Sequence, residues 1–312
     1  MEAGLSRGAP ASLSGRHLGL TEAPVGPALG RIRRAVLGVA RSGLRPFPWR
    51  ATRDPWAVLV SEMMLQQTQA PRVVAPYTRF LGRFPTASAC AGGGLGPVLE
   101  AWAGLGYNRR ARHLHQAARA IVETHGGVVP ADMGALRSLP GVGPYTARAV
   151  LVFAFERHEA VVDVNVARVL ARAVAGVPLS PQAAQSLADT LVPRGRAWEW
   201  NQALMELGAS VCSARDPRCG CCPLSSSCAW CDAPEGTPDP ASVSARQTRF
   251  EGSDRQGRGR LVAALRAGPV PPGQLRVACG WPGEPARARR VADALVVEGL
   301  ARREPGNILV LP

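Results

Sequence analysis

Six of the eight cysteines of this 312-residue chain lie between Cys212 and Cys231. Four of them have the spacing C-x6-C-x2-C-x5-C: Cys212, Cys219, Cys222 and Cys228. Four thiolates from one short loop suit either a [4Fe–4S] cube or a tetrahedral zinc site, and ligand chemistry alone does not separate the two. A core of buried free thiols is a poorer interpretation, because the intervening residues are mainly Arg, Asp, Pro, Ser and Gly. The other two cysteines of the stretch, Cys221 and Cys231, are alternative ligands.

Every basic side chain of the chain is an arginine. There are 37 Lys plus Arg against 23 Asp plus Glu, a formal net charge of +14, and lysine is absent. This charge favours a partner rich in phosphate, although a composition biased towards Ala, Gly, Pro and Arg would also produce it. Because a Schiff base requires an amine, the absence of lysine excludes lysine-based covalent chemistry within this chain.

The N-terminal residues 1–28 are rich in Gly, Pro, Ala and Ser. They lack the continuous apolar core of a secretory signal, and the chain has no run of the roughly 18 to 20 apolar residues that a membrane span needs. We therefore expect a disordered extension, a cytoplasmic and nucleoid-associated location, no membrane partner and a monomer.

Apolar residues recur at helical spacing in most of residues 29–232, and short turns with Gly or Pro separate the segments. No helix is predicted between Gln69 and Thr86. One helix is expected to start at Asp54 and Pro55, an N-cap followed by proline at the first helical position, and to run to about Gln69. No alternating strand pattern precedes residue 300, so we predict an all-α main body. A Pro-, Ser-, Gly- and Asp-rich linker covers residues 233–253.

Residues 254–312, which we call the C-terminal module, contain three helical patterns followed by two short segments. These segments, Leu300–Arg303 and Ile308–Leu311, are able to pair as a hairpin across Pro305–Asn307. That order is typical of a small winged helix. A helical tail packed on the main body explains the pattern almost as well.

The segment Leu139-Pro140-Gly141-Val142-Gly143 lies between two predicted helices. Two glycines next to a helix start let backbone N–H groups approach a phosphate closely. Taken alone, such a pair of glycines is more often a plain turn.

Two acidic residues have contrasting surroundings. Glu62 is a single acid between apolar residues of a predicted helix; its neighbours alone favour a charge on the helix surface, whereas burial would raise its pKa. Asp163 precedes a predicted helix and reads as an N-cap, a position that also keeps a carboxylate ionised. A protonated and an ionised carboxyl group are the pair that cleaves a glycosidic bond: one protonates the leaving group and the other stabilises an oxocarbenium-like sugar.

Three motifs together resemble the helix-hairpin-helix superfamily of endonuclease III and the MutY-type adenine DNA glycosylases. They are the cysteine spacing, the L-P-G-V-G segment, and Ser61–Thr68, which is similar to the S-E-x-M-L-Q-Q-T signature of the MutY-type enzymes. The resemblance covers residues 29–232, and the short tail is similar to that of actinobacterial members. It implies two helical lobes, a helical-barrel lobe at about residues 50–164 and an iron–sulfur lobe made of residues 29–49 and 165–232.

The resemblance also implies inorganic groups. It selects a [4Fe–4S] cluster on the four spaced cysteines, and it leaves four cysteines unassigned: Cys90, Cys221, Cys231 and Cys279. It further implies that the hairpin binds phosphate and a monovalent cation through the backbone of Leu139, Gly141, Val142 and Gly143.

The catalytic roles that the resemblance implies fall on four residues. Glu62 protonates the adenine at N7, Asp163 stabilises or traps the sugar cation, and Asn165 helps to orient Asp163. Tyr145 stands where endonuclease III has its Schiff-base lysine, so the enzyme is expected to be monofunctional. Val164 departs from the family, which usually has glycine there.

The expected partner is double-stranded DNA with adenine opposite 8-oxoguanine or guanine, in base excision repair. Residues implied to line the adenine pocket are Trp49, Arg50, Leu65 and Gln202. Residues implied to form a wedge near the opposing base are Gln66, Gln67, Thr68, Leu105 and Tyr107, although Tyr107 taken alone also reads as an ordinary, partly buried aromatic residue. Three arginines after the wedge, Arg109, Arg110 and Arg112, are expected to contact phosphates.

Three other functions stay open. An endonuclease III-like glycosylase and lyase is disfavoured by the absence of lysine, and a thymine-mismatch glycosylase is disfavoured by Glu62. A DNA-binding iron–sulfur sensor without activity is disfavoured because both carboxylates are present. The 59 residues that follow the linker lack the pattern of the larger domain with which many members recognise 8-oxoguanine.

Overall fold

A computed structural model of the chain describes residues 26–241 and 249–312. Residues 1–25 of the predicted extension and residues 242–248 of the predicted linker lie outside the described residues. The described residues contain fourteen α-helices: α1 Gly26–Arg41, α2 Pro55–Leu65, α3 Ala70–Arg83, α4 Ala87–Gly92, α5 Leu95–Ala101, α6 Arg109–His125, α7 Met133–Ser138, α8 Pro144–Phe153, α9 Val164–Val169, α10 Pro181–Leu191, α11 Ala197–Ser210, α12 Asp254–Ala267, α13 Leu275–Ala278 and α14 Pro285–Val297.

The prediction of a helical main body is confirmed, since strands occur in the described residues only after residue 300. None of the described helices combines the length and the apolar character that a membrane crossing requires. Helix α9 continues into a π-helical segment, Leu170–Ala175.

Helix α3 is absent from the sequence-based prediction. It holds Pro71 in its first turn and Pro76 in its interior, and both read as breakers. Its buried residues Val73, Tyr77 and Phe80 nevertheless form one apolar stripe at helical spacing. Burial of that stripe therefore outweighs the backbone hydrogen bond that Pro76 removes.

Helix α2 is buried on almost every face and packs against α3, α6 and α8. The Asp54 side chain caps it by accepting from the Trp56 N–H at 3.0 Å, and Pro55 follows, as predicted. The helix ends at Leu65, so its predicted extension to Gln69 is wrong. In a second group of helices, α1 packs on α11 and α11 packs on α9.

The C-terminal module has the predicted helices and hairpin. Strands β1 (Arg302–Glu304) and β2 (Ile308–Val310) pair antiparallel with Arg303 opposite Leu309, and Val270 forms a bridge to Leu309. The module also packs on the main body. Arg266 of α12 donates to the Leu99 carbonyl oxygen at 2.9 Å and to Asn108 Oδ1 at 3.0 Å, and Arg112 of α6 donates to the Glu298 carbonyl oxygen.

Candidate active site

The glycine-containing hairpin connects α7 to α8. Gly141 has a φ of +78°, and a Cβ atom there would lie 2.7 Å from the His113 Cβ and 2.9 Å from the Met63 Cε. Both the backbone conformation and the lack of space therefore require glycine. Leu139 and Val142 are buried, and the Val142 N–H donates to the Leu139 carbonyl oxygen at 3.1 Å. The apolar side chains of the hairpin thus pack into the core. Gly143 directly precedes the first turn of α8.

Glu62 lies in the core, not on a helix surface. Only 4% of its surface is exposed, and its Oε2 atom has no hydrogen-bond partner among the described residues. Burial raises the pKa of Glu62 to about 7; a hydrogen bond from Tyr145 opposes this rise, and the charge of Asp163 adds to it. The residue is therefore a carboxyl group that is able to hold a proton near neutral pH.

Tyr145, in the first turn of α8, faces Glu62. Burial and the neighbouring Glu62 and Asp163 charges raise the pKa of Tyr145 well above its usual value. Its phenol consequently stays protonated and acts as a donor to the Glu62 carboxyl group.

Asp163 caps helix α9, as its local sequence predicts. Its Oδ1 accepts from the N–H groups of Asn165 at 2.9 Å and Val166 at 2.7 Å, and its Oδ2 accepts from Asn165 Nδ2 at 2.8 Å. These bonds orient the carboxylate, and its charge contributes to the raised pKa of Glu62, which indicates that the two acids lie in one site. The neighbouring Val164 is exposed.

Arg168 connects Asp163 to the cysteine loop. Its Nη2 donates to Asn165 Oδ1 at 2.8 Å, and its Nε donates to the Cys212 carbonyl oxygen at 2.7 Å. Arg168 was not predicted as a site residue, and its only signal in the sequence is its position three residues after Asn165 on a predicted helix.

Two wedge residues share an uncommon backbone conformation. Gln67 and Tyr107 have φ values of 54° and 46°, and 44% of the Tyr107 surface is exposed. Gln66 donates to Thr146 Oγ1 at 3.3 Å, and Thr68 Oγ1 accepts from Arg110 at 3.0 Å. Leu105, expected beside the opposing base, is buried in the core, so in this structure it supports the loop instead of projecting from it.

Arg110 joins the two wedge segments from inside the protein. Its Nη1 donates to the carbonyl oxygens of Met63, Met64 and Gln66. Its Nη2 donates to Thr68 Oγ1 and to the carbonyl oxygens of Leu105 and Gly106. Burial lowers the pKa of Arg110 to about 10, so it remains charged at neutral pH.

The expectation that Arg110 contacts phosphate is therefore wrong. The last turn of α2 leaves carbonyl groups without intrahelical donors, and a buried guanidinium group satisfies them. Arg112 is also engaged, by the Glu298 carbonyl group. Of the three arginines, Arg109 keeps an exposed side chain, with a Glu298 carboxylate oxygen 3.8 Å away.

Two of the residues predicted to line the adenine pocket are in contact. Arg50 Nε donates to Gln202 Oε1 at 2.8 Å, and Arg50 Nη1 lies 2.9 Å from Glu206 Oε2. Trp49 stacks on Phe47 with ring centroids 4.9 Å apart. Leu65 is half-buried at the end of α2. Glu206, which was not predicted as a site residue, is buried and forms an ion pair with Arg50.

The four spaced cysteines line one cavity of about 370 Å³ that is open to solvent. Apolar side chains complete its wall: Val169, Leu207, Val211 and Leu224. Burial raises the pKa of Cys222, and the charges of Cys212, Cys228 and Cys219 raise it further, so the four thiols lie close together. Within the described ranges, no three His, Cys, Asp or Glu side chains form a group that would hold a single metal ion. A cavity with four facing thiols and an apolar wall fits the donor set of a [4Fe–4S] cluster.

Arg172 of the π-helical segment supports this cavity. It is buried, donates from Nη1 to Cys212 Sγ at 3.5 Å, and forms an ion pair with Asp239 at 2.5 Å. Its guanidinium carbon lies 4.9 Å from the Trp230 ring centroid. Like Arg168, it was not identified from sequence.

The chain is similar to known DNA repair proteins. Residues 60–193 match the HhH-GPD superfamily of base excision DNA repair proteins. The adenine DNA glycosylase of Mycolicibacterium smegmatis is 45% identical over 265 residues, which are 83% of this chain and 88% of that protein. The adenine DNA glycosylase of Mycobacterium tuberculosis is 44% identical over 274 residues, which are 86% of this chain and 89% of that protein.

A solved structure of a thermostable thymine-DNA glycosylase is similar with a TM-score of 0.63 and 33% identity, and it covers 65% of this chain and 96% of that one. The similarity to the two mycobacterial enzymes extends over most of this chain. The chain therefore belongs to the adenine DNA glycosylases of the HhH-GPD superfamily of base excision DNA repair proteins.

Proposed function

We propose that this enzyme removes adenine opposite 8-oxoguanine or guanine by hydrolysing the bond between adenine N9 and the sugar C1′. The observation that carries the proposal is the buried Glu62, whose pKa is raised to about 7 beside the capped Asp163 carboxylate. One carboxyl group is thus available as an acid while its neighbour remains a base or an electrostatic partner.

Glu62 donates its proton to N7 of the extruded adenine. This makes the base a better leaving group, and the C1′–N9 bond breaks with its electron pair moving to the base. The sugar becomes oxocarbenium-like, and the oriented Asp163 carboxylate stabilises the positive charge. Water then adds to C1′, and an abasic site remains. Asn165 and Tyr145 position the two acids by the hydrogen bonds described above.

The same proposal includes the absence of strand cleavage. A lyase step through a Schiff base would need an amine, and the hairpin carries Tyr145 in a chain without lysine. The proposed enzyme is monofunctional, and its product is an intact strand with an abasic site.

Recognition of the mispair is assigned to the wedge. Extrusion of adenine costs roughly a few kcal/mol of stacking and pairing. Gln67 and the half-exposed Tyr107 are the residues available to fill the gap, and Arg50 and Gln202 contribute to the pocket for the extruded base. The hairpin backbone at Gly141 and Gly143 binds a phosphate and a monovalent cation in this proposal. The enzyme works as a monomer on nucleoid DNA.

The proposed cluster is held by Cys212, Cys219, Cys222 and Cys228. When bound, it would cross-link the loop that follows α11. Because all four ligands would come from the protein, no position would remain for substrate. The helix and strand order of the C-terminal module supports a winged helix. The proposed main body has a helical-barrel lobe at about residues 50–164 and an iron–sulfur lobe of residues 29–49 and 165–232.

The decisive experiment uses three duplexes, with adenine opposite 8-oxoguanine, adenine opposite guanine, and thymine opposite guanine. Abasic sites are detected by alkaline cleavage after incubation with purified enzyme. We expect product from the two adenine duplexes and no strand cleavage before alkali. Glu62→Gln should abolish product while DNA binding persists, whereas Glu123→Gln, at an exposed carboxylate of α6, should behave as wild type.

Thymine release is the second candidate, because a thymine-DNA glycosylase has a similar fold at 33% identity. Product from the thymine duplex alone would replace the proposed activity with that one.

A further inference from the structure

Cys231 is the fifth thiol of the cluster cavity. It lines the same cavity as the four spaced cysteines, and its thiol lies near those of Cys228 and Cys219. The sequence Cys228-Ala229-Trp230-Cys231 places two thiols three residues apart on one turn. This turn is closed by the Asp232 N–H, which donates to the Cys228 carbonyl oxygen at 3.0 Å.

Cys221 provides the contrast. It also lies among the spaced cysteines in sequence and is exposed, as Cys231 is. It is not among the residues that line the cavity, and its Sγ donates to the Arg218 carbonyl oxygen at 3.4 Å. Cys221 and Cys231 are therefore alike in sequence position, but in the fold Cys231 lines the cavity and Cys221 does not.

The backbone around Cys231 is attached to the π-helical segment. The Trp230 N–H donates to the Arg172 carbonyl oxygen at 2.9 Å, and the Ala229 N–H donates to that of Ala173 at 3.3 Å. Gly176 lets the turn approach closely, since a Cβ atom there would lie 3.2 Å from the Ala229 Cβ. These contacts hold the turn of Cys231 against the cavity.

We propose that Cys231 is a reserve ligand of the cluster, able to replace Cys219 or Cys228 but not Cys212 or Cys222. The proposal rests on the [4Fe–4S] cluster of the proposed function. In the exchange, the Cys231 thiol releases its proton to solvent and its thiolate forms the Fe–S bond that the lost cysteine no longer provides. Iron and sulfur do not change oxidation state, so no oxidant or reductant is needed.

The test compares iron per chain and the visible cluster absorbance in single alanine variants of the four ligands, each with and without Cys231→Ala. We expect Cys219→Ala and Cys228→Ala to retain most of the wild-type iron, about four per chain, and the matching double variants to lose it several-fold. Cys212→Ala and Cys222→Ala should lose iron whether or not Cys231 is present. Cys231→Ala and Cys221→Ala alone should keep it.

A second measurement does not depend on total iron. Alkylation of the folded proteins, followed by peptide mass analysis, should modify Cys221 and Cys231 in wild type but Cys221 alone in Cys219→Ala. Cys228 is buried and its loss can prevent folding, so Cys219→Ala decides the outcome in that case. Equal iron loss in Cys219→Ala with and without Cys231 would overturn the proposal. Wild-type protein that holds zinc or no metal would instead contradict the proposed cofactor.

Discussion

Gln67 and Tyr107, which come from different segments, both adopt left-handed backbone conformations, and Arg110 donates hydrogen bonds to the backbone of both segments. Such a conformation costs a residue with a side chain about 1 kcal/mol or more. The charged bonds of one buried guanidinium group offset this cost and fix the two side chains relative to each other. The proposed wedge is therefore preorganised before DNA binds.

Arg110→Met should loosen this wedge. The change leaves buried carbonyl groups without donors, so we expect unfolding free energy to fall by about 2–4 kcal/mol. Affinity for a mispaired duplex should fall at least tenfold, and affinity for an undamaged duplex should change less. Denaturant unfolding and fluorescence anisotropy measure the two effects. Arg119→Met, at an exposed arginine of the same helix, is the control, and an Arg110 variant that matches it on both measures would refute this role.

The activity should decline at alkaline pH. The pKa of Glu62 is about 7, and an acid acts only while protonated, so kcat should fall about tenfold per pH unit above that value. Tyr145→Phe removes the donor that lowers this pKa, and the decline should move to higher pH. Tyr77→Phe should leave the decline in place. A single-turnover pH profile on an adenine duplex provides the measurement, and an unchanged profile in Tyr145→Phe would exclude the coupling.

Ionisation of Glu62 should lower the free energy of unfolding. Its pKa rises from 4.5 in the unfolded chain to about 7 in the folded protein, so folding favours the protonated form. Stability is full below pH 4.5 and is lost as pH rises towards 7, by about 3 kcal/mol at most. Glu62→Gln carries no charge and should unfold at higher denaturant concentration than wild type at pH 8, with a smaller difference at pH 4.5. Equal differences at both pH values would contradict the buried, titrating carboxyl group.

Asn165→Ala should impair chemistry more than binding. The change removes the donor to Asp163 Oδ2 and the acceptor of Arg168, and misorientation of a catalytic group costs about 10- to 100-fold in rate. We expect kcat to fall by that amount and KM to stay similar. The exposed neighbour gives the control Val164→Ala. A rise in KM with unchanged kcat would assign Asn165 to binding instead of positioning.

Arg266→Ala tests the contact between the C-terminal module and the segment of Tyr107. Arg266 bonds Asn108, which directly follows Tyr107, so its loss should weaken binding of mispaired duplexes by about threefold to tenfold, the range of one lost hydrogen bond. Arg276→Ala, at an exposed arginine of the module, should weaken the binding of mispaired duplexes less. Equal weakening for mispaired and undamaged duplexes would show that the contact does not act through the wedge.

Local sequence determined much of this protein. The cap and proline at Asp54 and Pro55, the cap at Asp163, the glycine of the hairpin and the terminal β-hairpin depend on residues within a few positions, so they were predicted correctly. The resemblance of Ser61–Thr68 and of the cysteine loop to one family supplied the functional interpretation. Helix α3 was missed because its stripe of buried residues competes with two prolines, and that competition is decided by packing.

Tertiary structure decided the properties that depend on burial. Local sequence favoured a helix-surface position for Glu62, because a single charged residue among apolar ones is usually solvated. It placed Arg110 on phosphate because this arginine follows the predicted wedge. Packing of α2 against α3, α6 and α8 buries Glu62 and raises its pKa. Hydrogen bonds to the carbonyl groups at the end of α2 stabilise Arg110 in the interior. Likewise, only the fold distinguishes Cys231 from Cys221. The free energy of a charge or a thiol depends on groups far away in sequence, so it is determined only when the chain has brought them together.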